Sequence, residues 1–254
     1  NQDKRRLTTR NHSSTHLLHH ALRTILGMHV EQKGSYVGPN YLRFDFSHFK
    51  KVEKEDLIKI EHFVNQVISK RLVLEDFRNV PMEEAKDMGA IALFGEKYGQ
   101  NVRVVRFGDS IELCGGTHVQ NTSEIGFFKI TSEASVASGI RRIEAITSDM
   151  AGSFVNEKIN ILEQVHGLFK NTENILEAAQ KTINENKVLL ELSKKVQKER
   201  ATSLIKDMND KFSVINGVKF IVQEVDLDAS VIKNICFSYI NKDDYFFLAL
   251  FHRS

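Results

Sequence analysis

The chain has 254 residues, of which 41% are hydrophobic and 27% charged, proportions typical of a globular protein with a buried core. No apolar stretch approaches the roughly 18 residues that span a bilayer, and no signal peptide is recognisable, so we expect no membrane partner. A net charge of +2 excludes a strongly basic nucleic-acid-binding protein, although a local basic patch could still bind RNA. Two cysteines are too few for a disulfide framework, so the cytoplasm is the expected compartment.

Residues 1–150 alternate between helical and strand patterns and contain both prolines and most of the glycines. Apolar residues at helical spacing over 17–26 predict a first helix that ends at Gly27, and alternation around the turn at 38–40 predicts a β-hairpin. Further helices are predicted at 54–72 and from Pro81, and strands at 102–107, 110–113, 127–132 and 140–147. Helices and strands in separate runs predict an α+β domain with a largely antiparallel sheet.

The rest of the chain has two different compositions. Residues 151–212 are rich in Leu, Lys, Glu, Asn and Ile, and apolar residues recur every seven positions from Val155 to Leu190. The partner heptad row is poor, so we predict a helical, coiled-coil-like hairpin, bent near 167–174, or helices that pack on the body of the protein. Residues 213–254 predict a strand, a helix and a strand, the incomplete opening of an α/β domain. We expect the chain to be a fragment of a longer polypeptide.

Two short segments contain residues that commonly bind metals. "HSSTH" places His12 and His16 four residues apart on a helix, and "CGGTH" places Cys114 and His118 around a glycine pair. One thiolate and three imidazoles favour zinc over magnesium or calcium. His20 lies on the same helical stripe, so spacing alone leaves His16 and His20 as an alternative pair. Taken singly, the histidines are typical of surface or core positions, and Cys114 of a small buried residue.

Four segments resemble the editing domain of the alanyl-tRNA synthetases. They are "HSSTHLLHHALRTILGMHVEQKGSYVGPNYLRFDFSH", "GAIALFGEKYG", "ELCGGTH" and "SGIRRIEAIT", in this order. Related domains occur in threonyl-tRNA synthetase and in free-standing trans-editing proteins. The resemblance covers about residues 7–150 and implies that 1–150 is an aminoacyl-tRNA editing domain. It implies, on weaker motifs, that the remainder begins a tRNA-binding and dimerising C-terminal region, so a homodimer is expected.

The resemblance implies hydrolysis of the aminoacyl ester of tRNA(Ala) wrongly charged with serine or glycine. A pocket built for a methyl group discriminates poorly against one extra hydroxyl or one missing methyl, so a second site must remove such products. The resemblance also implies that Zn²⁺ is held by four residues: His12, His16, Cys114 and His118. Of these, Cys114 is also expected to serve catalysis.

Other polar residues are candidates for contact with the substrate. The resemblance implies that Thr15 and Gln32 serve catalysis and substrate binding, and that Ser35 binds substrate. Arg141 follows the stretch 133–139, which we expect to be flexible, and is expected to point at the pocket and contact the tRNA 3′ end. Lys97 is a weaker candidate for a phosphate contact. As bare residues these five would be unremarkable.

Two other functions remain open at this point. One is a zinc-stabilised tRNA-binding and dimerisation module without activity, and another is a free-standing trans-editing protein. A metalloprotease is disfavoured because "HSSTH" has no glutamate between its histidines to act as a base.

Overall fold

The computed structural model describes residues 2–92, 98–170, 172–210, 212–239 and 245–252. These residues form two compact units, 1–162 and 163–254. The fold is α+β with antiparallel sheets in the first unit, as the sequence predicts. The finer division into three domains stays a prediction.

The described residues of the first unit form three α-helices, a fourth that continues into the second unit, and seven strands. In chain order they are α1 (Gln2–Leu26), β1 (Gln32–Val37), β2 (Leu42–Ser47), α2 (Lys54–Ser69), β3 (Glu75–Pro81), α3 (Met82–Asp87), β4 (Asn101–Phe107), β5 (Ser110–Leu113), β6 (Phe128–Ala137), β7 (Ile140–Thr147) and α4 (Ser148–Leu168).

The strands form two antiparallel sheets. One has the order β1-β2-β7-β6, and the other has the order β3-β4-β5. Helix α1 contacts α2, three strands of the first sheet and β5 of the second. Because α1 is surrounded in this way, its middle turns are buried on more than one face.

The core of the unit forms where α1 packs on the first sheet and on α2. Leu17 and Leu22 of α1 and Phe44 and Ile143 of the sheet are fully buried. Gly27 ends α1 as predicted, because its φ of 119° is left-handed and its N–H donates to the Arg23 carbonyl.

Several predicted boundaries need correction. Helix α2 ends three residues early, because Arg71 has a left-handed φ of 55° and the Leu72 N–H donates to Thr122 instead of to the helix. Strand β6 extends to Ala137, so most of the stretch expected to be flexible is paired with β7. Strand β3 was not predicted, because its residues do not alternate between apolar and polar.

The second unit contains α5 (Ile175–Asp210), β8 (Ser213–Ile215), β9 (Val218–Val225), α6 (Ala229–Tyr239) and β10 (Phe246–His252). Helix α6 connects β9 to β10, which are parallel, so this part has the predicted α/β character. The predicted break between the helical segments is confirmed, since α4 ends at Leu168 and α5 begins at Ile175. No helix in the described ranges is long and apolar enough to cross a bilayer.

Asn11 joins α1 to the first sheet. Its amide nitrogen donates to the Gly38 carbonyl at 2.8 Å, and its amide oxygen accepts from Thr147 Oγ1 at 2.7 Å. All of these polar atoms are buried, so each depends on Asn11 for a partner.

We expect Asn11→Ala to destabilise the first unit by about 2–3 kcal/mol, because it leaves two buried groups without partners. The measurement is hydrogen exchange of α1 peptides across a urea series. Thr24→Ala, which removes an exposed hydroxyl bonded within the same helix, should cost less than about 0.5 kcal/mol. Equal losses in the two variants would contradict this role for Asn11.

Candidate metal centre

Two of the candidate ligands lie on α1. His12 and His16 are one helical turn apart on the same face, so their imidazoles project in the same direction. His16 is buried and His12 half-buried. Their ring centroids are 5.2 Å apart.

The other two candidates lie at the end of β5. Cys114 follows the strand directly, and His118 follows the glycine turn. Arg103 of β4 stabilises this turn: its Nη1 donates to the carbonyl oxygens of Cys114 at 3.2 Å and Gly116 at 2.5 Å. The same guanidinium pairs with Asp76 of β3 at 2.6 Å. The turn is therefore attached to the strands beneath it.

The four candidate side chains meet at one point. The potential ligand atoms of His12, His16, Cys114 and His118 all lie within 4.8 Å of one another. Cys114 Sγ is 3.6 Å from His12 Nε2 and 3.3 Å from His118 Nε2. His20 instead packs near Phe63, with ring centroids 5.5 Å apart. These residues could hold a metal ion, and we name them the His₃Cys group.

Each histidine of the group has a polar group near its outer nitrogen, Nδ1. The Nδ1 of His12 is 3.1 Å from the Thr117 carbonyl, that of His16 is 3.3 Å from a Glu112 carboxylate oxygen, and that of His118 is 3.1 Å from Ser13 Oγ. A carbonyl only accepts, so Nδ1 of His12 carries the proton and its Nε2 lone pair is free for a metal. The His16–Glu112 contact is close but does not have hydrogen-bond geometry.

Burial keeps the imidazoles of the group neutral. Together with smaller contributions from the neighbouring imidazoles, it lowers the pKa of His118 to about 3 and that of His16 well below its ordinary value. The pKa of His12 is also lowered, again chiefly by burial. Neutral imidazole is the form that binds metals, so the donor set fits a borderline-soft divalent cation.

Gly116 has a steric reason to be glycine. A Cβ atom at this position would collide with the His12 ring, whereas a Cβ at Gly115 would meet nothing within 4 Å. The sequence pattern assigns both glycines to one tight turn. The structure shows that the second glycine makes room for an imidazole of the group.

Thr15 lies beside the group and is buried, unlike an ordinary exposed helical threonine. It is 4% exposed, and its hydroxyl donates to the Asn11 carbonyl at 2.9 Å. The oxygen lone pairs of Thr15 can therefore still accept a hydrogen bond.

Gln32 and Ser35 lie on β1, at the edge of the first sheet. Their partners on β2 are Phe46 and Phe44, which are core residues, so both positions are on the face that packs against α1. Gln32 is half-buried and Ser35 is exposed.

Arg141 lies half-buried on β7, and its cross-strand partner is Phe46, the residue that also pairs with Gln32. Its guanidinium pairs with Glu133 across the β6–β7 hairpin at 2.5 Å. That Arg141 points at the pocket and contacts the tRNA 3′ end stays a prediction. Lys97 lies outside the described residues.

Comparisons with known proteins agree with the sequence resemblance. Residues 102–144 match the family model described as "Threonyl and Alanyl tRNA synthetase second additional domain". An alanine–tRNA ligase from Christiangramia forsetii is 51% identical over 98% of this chain and 29% of its own length. One from Flavobacterium psychrophilum is 48% identical over 92% and 26%. The chain is homologous to part of the alanine–tRNA ligases. It spans less than a third of the length of these relatives.

The sequence analysis did not identify four residues that position the His₃Cys group. They are Ser13, His19, Arg103 and Glu112. Their partners lie about 90 residues or more away, or on another strand, so spacing gave no signal. For Glu112 the sequence does give a weak signal, because it is a charged residue between Ile111 and Leu113, just before Cys114.

We expect Gly116→Ala to weaken metal binding by this ligase homologue at least tenfold, because the new methyl group displaces the His12 ring. Competition with a chromophoric chelator measures the affinity. Gly115→Ala is the matched control. Its metal affinity should remain near that of the wild type, since its Cβ would point into open space. Equal affinities for the two variants would contradict the steric role of Gly116.

The pKa of His118 predicts a loss of stability in acid for the metal-free protein. The folded pKa of about 3 lies below the ordinary 6.5, so between these values the unfolded chain binds more protons. The stabilisation is complete above about pH 6.5 and is lost as the pH falls. From about pH 7.5 to 5.5, His118 should account for about 1.4 kcal/mol of lost stability.

His118→Gln should remove that share of the loss. The measurement is the free energy of unfolding of the chelator-treated wild type and variant in urea at the two pH values. Unfolding is monitored by hydrogen exchange of α1 peptides. An identical loss in wild type and variant would show that His118 does not contribute.

Proposed function

We propose that this chain hydrolyses the aminoacyl ester of tRNA(Ala) charged with serine or glycine, at a Zn²⁺ centre formed by His12, His16, Cys114 and His118. The observation that carries the proposal is the buried His₃Cys group inside a chain homologous to alanine–tRNA ligases. The reaction adds water to the ester carbonyl and releases the amino acid and the tRNA 3′ hydroxyl.

The donor set supports zinc. One thiolate and three imidazoles match the ligands that tetrahedral zinc sites use, and they do not suit magnesium or calcium. Zinc bound there would supply a Lewis acid that polarises a carbonyl or lowers the pKa of water once a coordination position is open. Four protein ligands complete a tetrahedron, so the same ion could instead shape the pocket.

Thr15 is proposed to recognise the serine side chain. Its hydroxyl proton is already donated to the Asn11 carbonyl, so its oxygen is available as an acceptor for the serine hydroxyl. Alanine offers only a methyl group there, which leaves the buried oxygen without its partner and disfavours binding. Glycine gains nothing from this contact, so Thr15 favours serine over glycine.

Gln32 and Ser35 are proposed to orient the attacking water or the substrate. Both occupy the face of β1 that packs against α1, the helix that carries Thr15. An amide and a hydroxyl can donate to a developing oxyanion and accept from water. The guanidinium of Arg141 is paired with Glu133, and a contact between Arg141 and the tRNA 3′ end stays a prediction.

The first turns of α1 support binding of the anionic tRNA end. Lys4 and Arg5 are exposed, and Arg5 lies two turns before His12 on the same helical face. At 1.5 Å per residue, about 10 Å separate Arg5 from His12 along the helix axis. A positive charge at that distance suits the phosphates behind the 3′-terminal ester.

The second unit carries the remaining proposals. Because the homology covers this unit too, we propose that it contributes to tRNA binding and to a homodimer. The cytoplasmic location inferred from the cysteines also stays a prediction.

The test is deacylation of seryl-tRNA(Ala) and glycyl-tRNA(Ala), with alanyl-tRNA(Ala) alongside. We expect release of serine faster than glycine and little release of alanine. Cys114→Ala should lower the serine rate at least a hundredfold and reduce the zinc content, measured by mass spectrometry, below the one ion per chain expected of the wild type.

Cys236→Ala is the matched control, because this cysteine lies on α6 in the second unit. It should leave both the rate and the zinc content unchanged. A zinc-loaded chain that binds tRNA but releases no serine would contradict the proposed activity and favour a recognition module.

A further inference from the structure

Glu112 is a carboxylate inside the core of the first unit. It lies on β5 and is only 3% exposed. Its cross-strand partner is Val105, and the residues on either side of it are Ile111 and Leu113. Burial of a carboxylate without a compensating charge is strongly unfavourable, so a buried glutamate here requires an explanation.

The partners of Glu112 are two imidazoles on α1. His19 Nδ1 lies 2.8 Å from one carboxylate oxygen, and His16 Nδ1 lies 3.3 Å from the other. Within the described part of the chain, neither oxygen pairs with a lysine or an arginine. Burial raises the pKa of the Glu112 carboxyl, since it penalises the charged form.

The three histidines of the His₃Cys group differ in their outer partners. His12 and His118 contact a backbone carbonyl and a serine hydroxyl, which are neutral. Of these three histidines, His16 is the one whose Nδ1 lies near an ionisable side chain in the described part of the chain. A divalent cation with one thiolate ligand retains one net positive charge, and an ionised Glu112 would supply the opposite charge one imidazole away.

We propose that Glu112 is a positioning residue that fixes the Nδ1–H tautomer of His16 and balances the charge of the metal centre, while His19 anchors its second oxygen. This inference rests on the metal centre of the proposed function. A carboxylate that accepts from a ligating imidazole makes that imidazole a stronger donor to the metal. The buried charge is then compensated by the bound cation.

The experiment measures the Zn²⁺ affinity of the full chain by competition with a chromophoric chelator. Glu112→Gln retains the shape but removes the charge, and we expect it to weaken binding about 10–100-fold. Glu112→Asp restores the charge on a shorter side chain, so it should bind more tightly than Glu112→Gln. Ser13→Ala removes the neutral neighbour of His118 Nδ1 and should weaken Zn²⁺ binding by less than about tenfold.

A second readout is the visible spectrum of the Co²⁺-loaded protein. We expect the ligand-field bands to shift in Glu112→Gln, because the donor strength of His16 changes, and to return toward the wild type in Glu112→Asp. A purely structural role predicts the reverse order, since glutamine packs like glutamate and aspartate leaves a gap.

The outcomes separate this inference from the proposed function. A wild-type chain that binds no zinc overturns both. If the wild type binds zinc, an affinity of Glu112→Gln within threefold of it, or a tighter affinity than that of Glu112→Asp, overturns the role of Glu112 alone. Weaker binding by Glu112→Gln with recovery in Glu112→Asp supports it.

Discussion

The structure of the first unit depends on hydrogen bonds that satisfy the polar side chains in the buried middle of α1. Asn11 bonds to the first sheet through Gly38 and Thr147. On another side of the helix, Ser13 Oγ accepts from the Val119 N–H and contacts His118. A buried polar group without a partner is costly, so α1 is stable in one register relative to both sheets.

That register determines the geometry of the His₃Cys group. A shift of α1 by one residue would break the contacts of Asn11 and Ser13 and would rotate His12 and His16 by about 100° about the helix axis. The stabilisation of the fold and the alignment of the candidate ligands therefore depend on the same bonds. The cost of burying the polar side chains of α1 is offset by apolar packing of Leu17 and its neighbours.

The sequence predicted the features that arise from short-range spacing. The 3.6-residue period of α1, the glycine that ends it, and the four-residue spacing of candidate ligands within "HSSTH" and within "CGGTH" are of this kind. The order of strands in each sheet, the extent of β6 and the existence of β3 depend on tertiary contacts and were not predicted. The same holds for Arg103 and Glu112, because nothing in their local pattern specifies a carbonyl or an imidazole about ten or more residues away.

The two halves of the His₃Cys group are far apart in the chain, since Cys114 and His12 are separated by 102 residues. At synthesis rates of about 5–20 residues per second, α1 leaves the ribosome roughly 5–20 s before the β5 turn exists. During that interval its apolar face and its polar middle have none of their final partners. Helix α1 is therefore the part of the unit most dependent on protection during translation, and metal loading can occur only as a late step of folding.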